Sequence, residues 1–304
     1  MRVAAIGIGS NSVRMLIADV EGDHGARLRR EREGTRLFAG LDSERRLREA
    51  AMETTVRAVA GMAASARASG AEQISLFATS ATRDATNSAV FAERLRDAAG
   101  LELQITPGEE EALLSYLGAS DGPQDGVIDI GGGSTEVIFG EGLTIHEAFS
   151  CQMGAVRLSR LQPIATVGEL RSVERMAKEL LEKELATRPS LRIPEAWIGT
   201  GGTFTTLAAM YKSISWNDRT YMHGTVLPRA WVEETAERLA VMPMEERLRL
   251  RGLQPNRADI VVHGIAILLA CMHRMDIGQI KVSEYGNLDG YIKKTYRLTG
   301  GLTA

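Results

Sequence analysis

The chain has 304 residues, 44% hydrophobic and only 5% aromatic, enough for two domains of roughly 150 residues, each with an aliphatic core. With 36 basic against 39 acidic residues the net charge is −3, so no global field draws the protein to nucleic acid or to an anionic membrane. Cys151 and Cys271 are too few for a disulfide scaffold, and neither a leader-like opening nor an apolar run of membrane-spanning length is found, so a cytoplasmic protein is expected.

The apolar run 3–8 predicts a buried strand, with 13–20 as its hairpin partner and 27–38 as a third strand. That strand carries Arg27, Arg29, Arg30, Arg32 and Arg36, read either as a solvated edge or as a contact for a polyanion. Ser43 is the expected cap of a long helix whose Leu47, Met52, Val56, Val59 and Met62 recur at near-helical spacing before Gly70. Residues 73–78 return as a strand, and the following T-S-A-T-R lies where open α/β sheets place ligands, which makes Arg83 a candidate phosphate clamp. Asn87 and Gly100 bracket a helix as cap and stop before a strand at 101–105. Pro107 then opens a helix whose first turn holds Glu109, Glu110 and Glu111. The helix dipole accounts for three acids there; alternatively Glu111, beside the apolar Leu113, Leu114 and Leu117, faces into a cleft. Residues 119–124, with Gly122 and Pro123, read as a linker between domains 1–122 and 123–304.

The second domain opens on V-I-D-I-G-G-G-S-T-E at 127–136. An apolar strand ends in Asp129, enters Gly131, Gly132 and Gly133, and leaves through Ser134, Thr135 and Glu136 into a second strand. Three residues without Cβ can adopt φ > 0 and close their N–H groups on an anion such as phosphate. Asp129 and Glu136, at the two ends of the turn, suit one hard cation, Mg²⁺ or another divalent ion. The stretch A-I-G-I-G-S-N-S-V-R-M-L-I at 5–17 superposes on this one, with Ile6 on Ile128, Gly9 on Gly131, Ser12 on Ser134 and Leu16 on Ile138. The chain therefore reads as two similar domains that each bring a phosphate loop to a shared cleft. Gly7 stands where the second copy has Asp129.

Downstream, Arg157 on a short helix is either a solvated face or a structural tie, and Thr166 with Glu169 forms a capping box for a long charged helix. A strand at 197–199 enters Gly201, Gly202 and Thr203 and then a helix, a glycine turn over a helix N-terminus suited to distal phosphates. Residues 211–227 look irregular, 258–275 predict a buried helix with His263 and His273 inside it, 280–283 a final strand and 287–298 a closing helix.

Together the segments G-S-N-S at Gly9, A-T-S-A-T-R-D-A at Ala78, G-E-E-E-A at Gly108, D-I-G-G-G-S-T-E at Asp129, G-A-V-R-L at Gly154, G-T-G-G-T at Gly199 and R-A-D at Arg257 resemble the exopolyphosphatase and guanosine pentaphosphate phosphatase family. That family is a branch of the superfamily of acetate kinase, sugar kinases, heat-shock chaperone ATPases and actin. The resemblance implies an α/β fold of two ribonuclease H-like domains with an interdomain cleft, the actin-like ATPase fold. It implies hydrolysis of the terminal phosphoanhydride of polyphosphate, or of guanosine pentaphosphate to tetraphosphate, with Glu111 as general base and Asp129 and Glu136 holding Mg²⁺. Ser10, Asn11, Arg14, Arg83 and the glycine loops would bind the phosphoryl groups, and a homodimer is an open assembly state. Many members carry arginine in a G-L-R-E-G segment where this chain has Leu288, and an acid at Gly7, which keeps a weakened polyphosphate or alarmone binder as a rival reading. A sugar or acetate kinase is the other.

Overall fold

The computed structural model describes residues 1–120, 125–142, 144–218 and 221–303. The chain forms two compact units, Met1–Gly118 with Asn287–Ala304, and Ala119–Gly286. The expected boundary after residue 122, with Gly122, Pro123 and Gln124 of the linker, lies outside the described residues.

In the first unit β1 (Arg2–Ile8), β2 (Ser12–Glu21) and β3 (His24–Gly34) form an antiparallel meander. After α1 (Glu49–Ala68), β4 (Gln73–Ala78) lies parallel to β1; after α2 (Ser80–Asp84) and α3 (Ser88–Ala99), β5 (Leu103–Ile105) lies parallel to β4, and α4 (Gly108–Ala119) follows. The second unit repeats the plan. β6 (Asp125–Ile130), β7 (Thr135–Glu141) and β8 (Thr144–Cys151) make the meander, followed by α5 (Ala155–Leu161) and α6 (Val167–Ala186). Then come β9 (Trp197–Thr200), α7 (Gly202–Tyr211), β10 (Val226–Pro228), α8 (Arg229–Val241), α9 (Met244–Arg247), α10 (Val261–Arg274) and β11 (Gln279–Val282). With β12 (Gly301–Thr303) at an edge, the sheet orders are β12-β3-β2-β1-β4-β5 and β10-β11-β9-β6-β7-β8, so the meander followed by parallel strands recurs and each unit is ribonuclease H-like. Almost every residue of β1 and β7 is buried, as strands covered on both faces require.

The chain end differs from the sequence expectation. α11 (Asn287–Tyr296) packs on β1 and β2, and β12 (Gly301–Thr303) pairs in parallel with β3, so both belong to the first unit. Asp289 is the anchor: its carboxylate, fully buried, accepts from Arg27 Nε at 2.7 Å and from Arg30. Of the five arginines expected on this strand, Arg36 lies beyond its end, Arg27 and Arg30 are thereby structural, and Arg29 pairs with Glu31 at 2.9 Å.

Three local expectations also change. α1 starts at Glu49 rather than near Ser43, because Asp42 Oδ1 accepts from the Glu44 and Arg46 amides and closes a turn there. Asn87 stands at the N-cap of α3 as expected but makes no side-chain cap bond; its amide bonds both backbone groups of Leu47 and ties α3 to the segment before α1. On α10, His263 is buried as expected, but His273 is exposed, bonded to Glu174 at 2.6 Å and Glu233 at 2.7 Å. Gly100 in the left-handed region and the Thr166–Glu169 capping box are as expected.

Candidate active site

In the second unit the glycine turn is held from below by α5. Gly131 O accepts from the Ala155 amide, Gly132 O from the Val156 and Arg157 amides, and Gly133 O from Arg157 Nε at 2.6 Å. In a planar trans peptide the C=O and the next N–H point in opposite directions. The amides of Gly132, Gly133 and Ser134 are therefore turned away from α5, a concave set of donors for an anion. Arg157, either face or tie in the sequence, is a tie. The expected conformation is not used in this turn: positive φ falls at Gly201 (φ 96) and at none of Gly131, Gly132 and Gly133. A Cβ on Gly154 would lie 2.4 Å from Gly132, and one on Gly131 would lie 3.0 Å from Ser134 O.

Asp129 and Glu136 are direct cross-strand partners in the β6–β7 ladder, which places both carboxylates on one face about 5 Å apart at Cβ. Both are buried; Ser150 Oγ donates to Glu136 Oε1 at 2.8 Å. Asp129 Oδ1 lies only 2.7 Å from where a Cβ on Gly201 would sit, so the G-T-G-G-T loop abuts the acid. Thr203 is buried in the first turn of α7, and Thr135 Oγ1 donates to Met153 O at 2.5 Å and so acts within the fold.

The first unit repeats the arrangement with different parts. Gly9 N donates to Ser12 O at 3.0 Å, as Gly131 N does to Ser134 O. Ser10 O accepts from the Phe38 amide and Asn11 O from the Thr35 and Arg36 amides, so the turn after β3 does here what α5 does there. The Asn11 and Ser12 amides consequently face the other way. Both side-chain amide atoms of Asn11 are buried without a hydrogen-bond partner among the described residues, as are Ser80 Oγ, Thr35 Oγ1 and Arg83 Nη2. A buried polar atom left unmatched costs about 1–3 kcal/mol. These atoms gather just beyond the C-terminal ends of β1, β3 and β4, which makes this a candidate site for a polar ligand. Arg14 donates to Asn287 Oδ1 at 3.0 Å, and Arg32 Nε to Ser12 Oγ at 3.3 Å, beside the loop.

The three acids of α4 separate by environment. Glu109 is exposed, Glu110 pairs with Lys294 at 2.5 Å, and Glu111 is 6% exposed. Arg83 Nη1 donates to Glu111 Oε2 at 3.1 Å and to Thr106 O at 2.8 Å. Arg83 is thus a neighbour of the acid as well as a candidate clamp.

Sequence reasoning did not single out Ser80 and Thr35, whose short polar side chains are common on surfaces, and it named Arg32 only as one of a run read as solvated edge or polyanion contact. It also left Arg257 out of the site, though R-A-D was one of the matching segments. A Cβ on Gly202 would lie 1.9 Å from Arg257 Cζ, so the missing side chain seats a guanidinium on the loop.

A duplicated ribonuclease H-like unit in which each β-hairpin offers backbone amides to an anion defines the actin-like class of phosphoryl-transfer proteins. Within that class the chain belongs to the Ppx/GppA phosphatase family, whose model matches residues 16–297. It is similar to "Exopolyphosphatase 2" of Mycobacterium tuberculosis, 36% identical over 314 residues covering 95% of this chain and 97% of that protein. Among solved structures, the Aquifex aeolicus PPX-GPPA enzyme is 29% identical with a TM-score of 0.81, covering 97% of this chain and 99% of that one. An exopolyphosphatase-like protein is 26% identical with a TM-score of 0.89, covering 98% and 99%.

Proposed function

We propose that the protein is an exopolyphosphatase, which hydrolyses the terminal phosphoanhydride of inorganic polyphosphate and releases phosphate. The observation that carries the mechanism is the buried Glu111 carboxylate beside Arg83, in a unit where polar atoms of Asn11 and Ser80 are buried without a hydrogen-bond partner among the described residues. Glu111 takes the proton of the attacking water as its oxygen bonds to the terminal phosphorus and the bridging P–O bond breaks. The amides of both hairpin turns, with Ser10, Asn11, Arg14, Arg83, Gly201, Gly202 and Thr203, bind and orient phosphoryl oxygens and stabilise charge on the transferring group.

Asp129 and Glu136 fit a hard divalent cation such as Mg²⁺: two carboxylates on one face, next to a glycine loop. Among the described residues no group of three or more acids, histidines or cysteines could hold a metal, so water and phosphate oxygens would complete the coordination. When bound, the cation offsets negative charge on the phosphoryl oxygens. The reading places the enzyme in the cytoplasm, with Cys151 and Cys271 as buried free thiols. Among the described residues no helix is long and apolar enough to cross a membrane.

The test is phosphate release from polyphosphate and from guanosine pentaphosphate, each with and without Mg²⁺. Mg²⁺-dependent release from polyphosphate supports the proposal. Release from guanosine pentaphosphate alone reassigns the substrate, and binding of either without release makes the protein a sensor. Transfer of phosphate to a sugar or acetate instead of water would make it a kinase.

A further inference from the structure

The two hairpins keep the same turn but not the same flanking residues. In the second unit the cross-strand row beside the turn reads Glu136, Asp129, Thr200; in the first, the corresponding row reads Arg14, Gly7, Phe77. A Cβ on Gly7 would lie 3.0 Å from Phe77 Cζ and 3.4 Å from Leu288 Cδ2, so the volume a side chain would enter is already occupied. Phe77 is fully buried, stacks on Tyr291 with centroids 4.7 Å apart and planes at 4°, and shares a core with Leu16, Leu288 and Ile292. The place of a carboxylate is thus an apolar plug. The place of the second carboxylate carries the fixed positive charge of Arg14.

We propose that the first hairpin is a cation-free copy of the second, closed by Phe77 and Leu288 and recharged by Arg14, so that a divalent cation is held by protein carboxylates of Asp129 and Glu136 alone. This rests on the cation reading given above. It also reverses the simple expectation from the internal repeat, that Gly7→Asp would restore a ligand and lower the Mg²⁺ requirement. An aspartate there would press on the Phe77 ring and the Leu288 methyl, and its nearest charge would be the cross-strand Arg14 and not a cation.

The full chain is titrated with Mn²⁺ as probe, with binding followed by calorimetry or by electron paramagnetic resonance of the free ion. One Mn²⁺ per chain is expected for the wild type and none for Asp129→Asn/Glu136→Gln, which leaves the first unit untouched. Gly7→Asp is expected to bind Mn²⁺ within twofold of wild type and to melt at a lower temperature. Mn²⁺ retained by the double variant, or bound several-fold more tightly by Gly7→Asp, would overturn the asymmetry. If Gly7→Asp does not fold, the double variant decides by itself. No Mn²⁺ bound by the wild type would instead overturn the cation reading, and this inference with it.

Discussion

Arg83 Nη1 bridges Glu111 Oε2 and the Thr106 carbonyl, at 3.1 and 2.8 Å, so the buried acid of α4 is aimed by a cation that is itself fixed to the end of β5. Of the three adjacent glutamates this one alone is buried. Glu111→Gln keeps the shape and cannot take a proton from water; its kcat is expected to fall on the order of 10² to 10⁴ with substrate binding largely kept. Glu109→Gln is the control and should lose far less. Steady-state phosphate release beside polyphosphate binding separates the outcomes, and wild-type kcat in Glu111→Gln would reduce the residue to a helix-terminus acid.

Asp129→Asn removes one of two cross-strand carboxylates against Gly201. The Mg²⁺ concentration for half-maximal activity should rise and kcat should fall, because hard divalent cations depend on charged oxygens. The Mg²⁺ titration of activity measures this, and an unchanged curve would contradict the role.

Removing the Asp289 charge addresses stability. Asp289→Asn leaves Arg27 and Arg30, 9% and 18% exposed, without their shared carboxylate. Breaking a buried pair from one side typically costs about 3–5 kcal/mol. Denaturant unfolding should register a loss of that order, in the first unit.

How much of this was legible beforehand varied with the range of the interaction. The hairpins, the glycine turns and the repeat were visible because each is written within a dozen residues. Asp289 was not, since its partners lie 262 and 259 residues away and an acid in a helix's first turn already has a local explanation. Seven ordered segments singled out Glu111, yet only burial distinguishes it from its two neighbours. Positive φ was expected at Gly131, Gly132 and Gly133 and is found at none of them, while the tight approach to the turn is made at Gly154, just before α5. Gly7 read as a missing acid, whereas the side chains filling its space come from β4 and α11.

Burial lowers the pKa of His263 below its ordinary 6.5, partly opposed by its bond to the Gln162 carbonyl at 2.9 Å. The folded state then binds fewer protons than the unfolded state just below pH 6.5, so stability rises with pH in that window and is lost as pH falls below 6.5. His263→Gln should flatten the melting-temperature profile there. A variant whose profile keeps the wild-type slope would assign the dependence to other groups.

The division of the chain into units has a consequence for the order in which the protein is made. Ala119–Gly286 is continuous and can pack as soon as it leaves the ribosome, whereas the first unit lacks α11, β12 and the Asp289 anchor until residues 287–303 have been synthesised. Domains usually mature from the N-terminus during synthesis. Here the later-made unit is the one able to finish first, and the earlier one waits with an open edge at β3 and an uncovered apolar face around Ala5, Leu16 and Phe77. Through that interval the strand edge and the apolar face of the first unit stay exposed on the nascent chain.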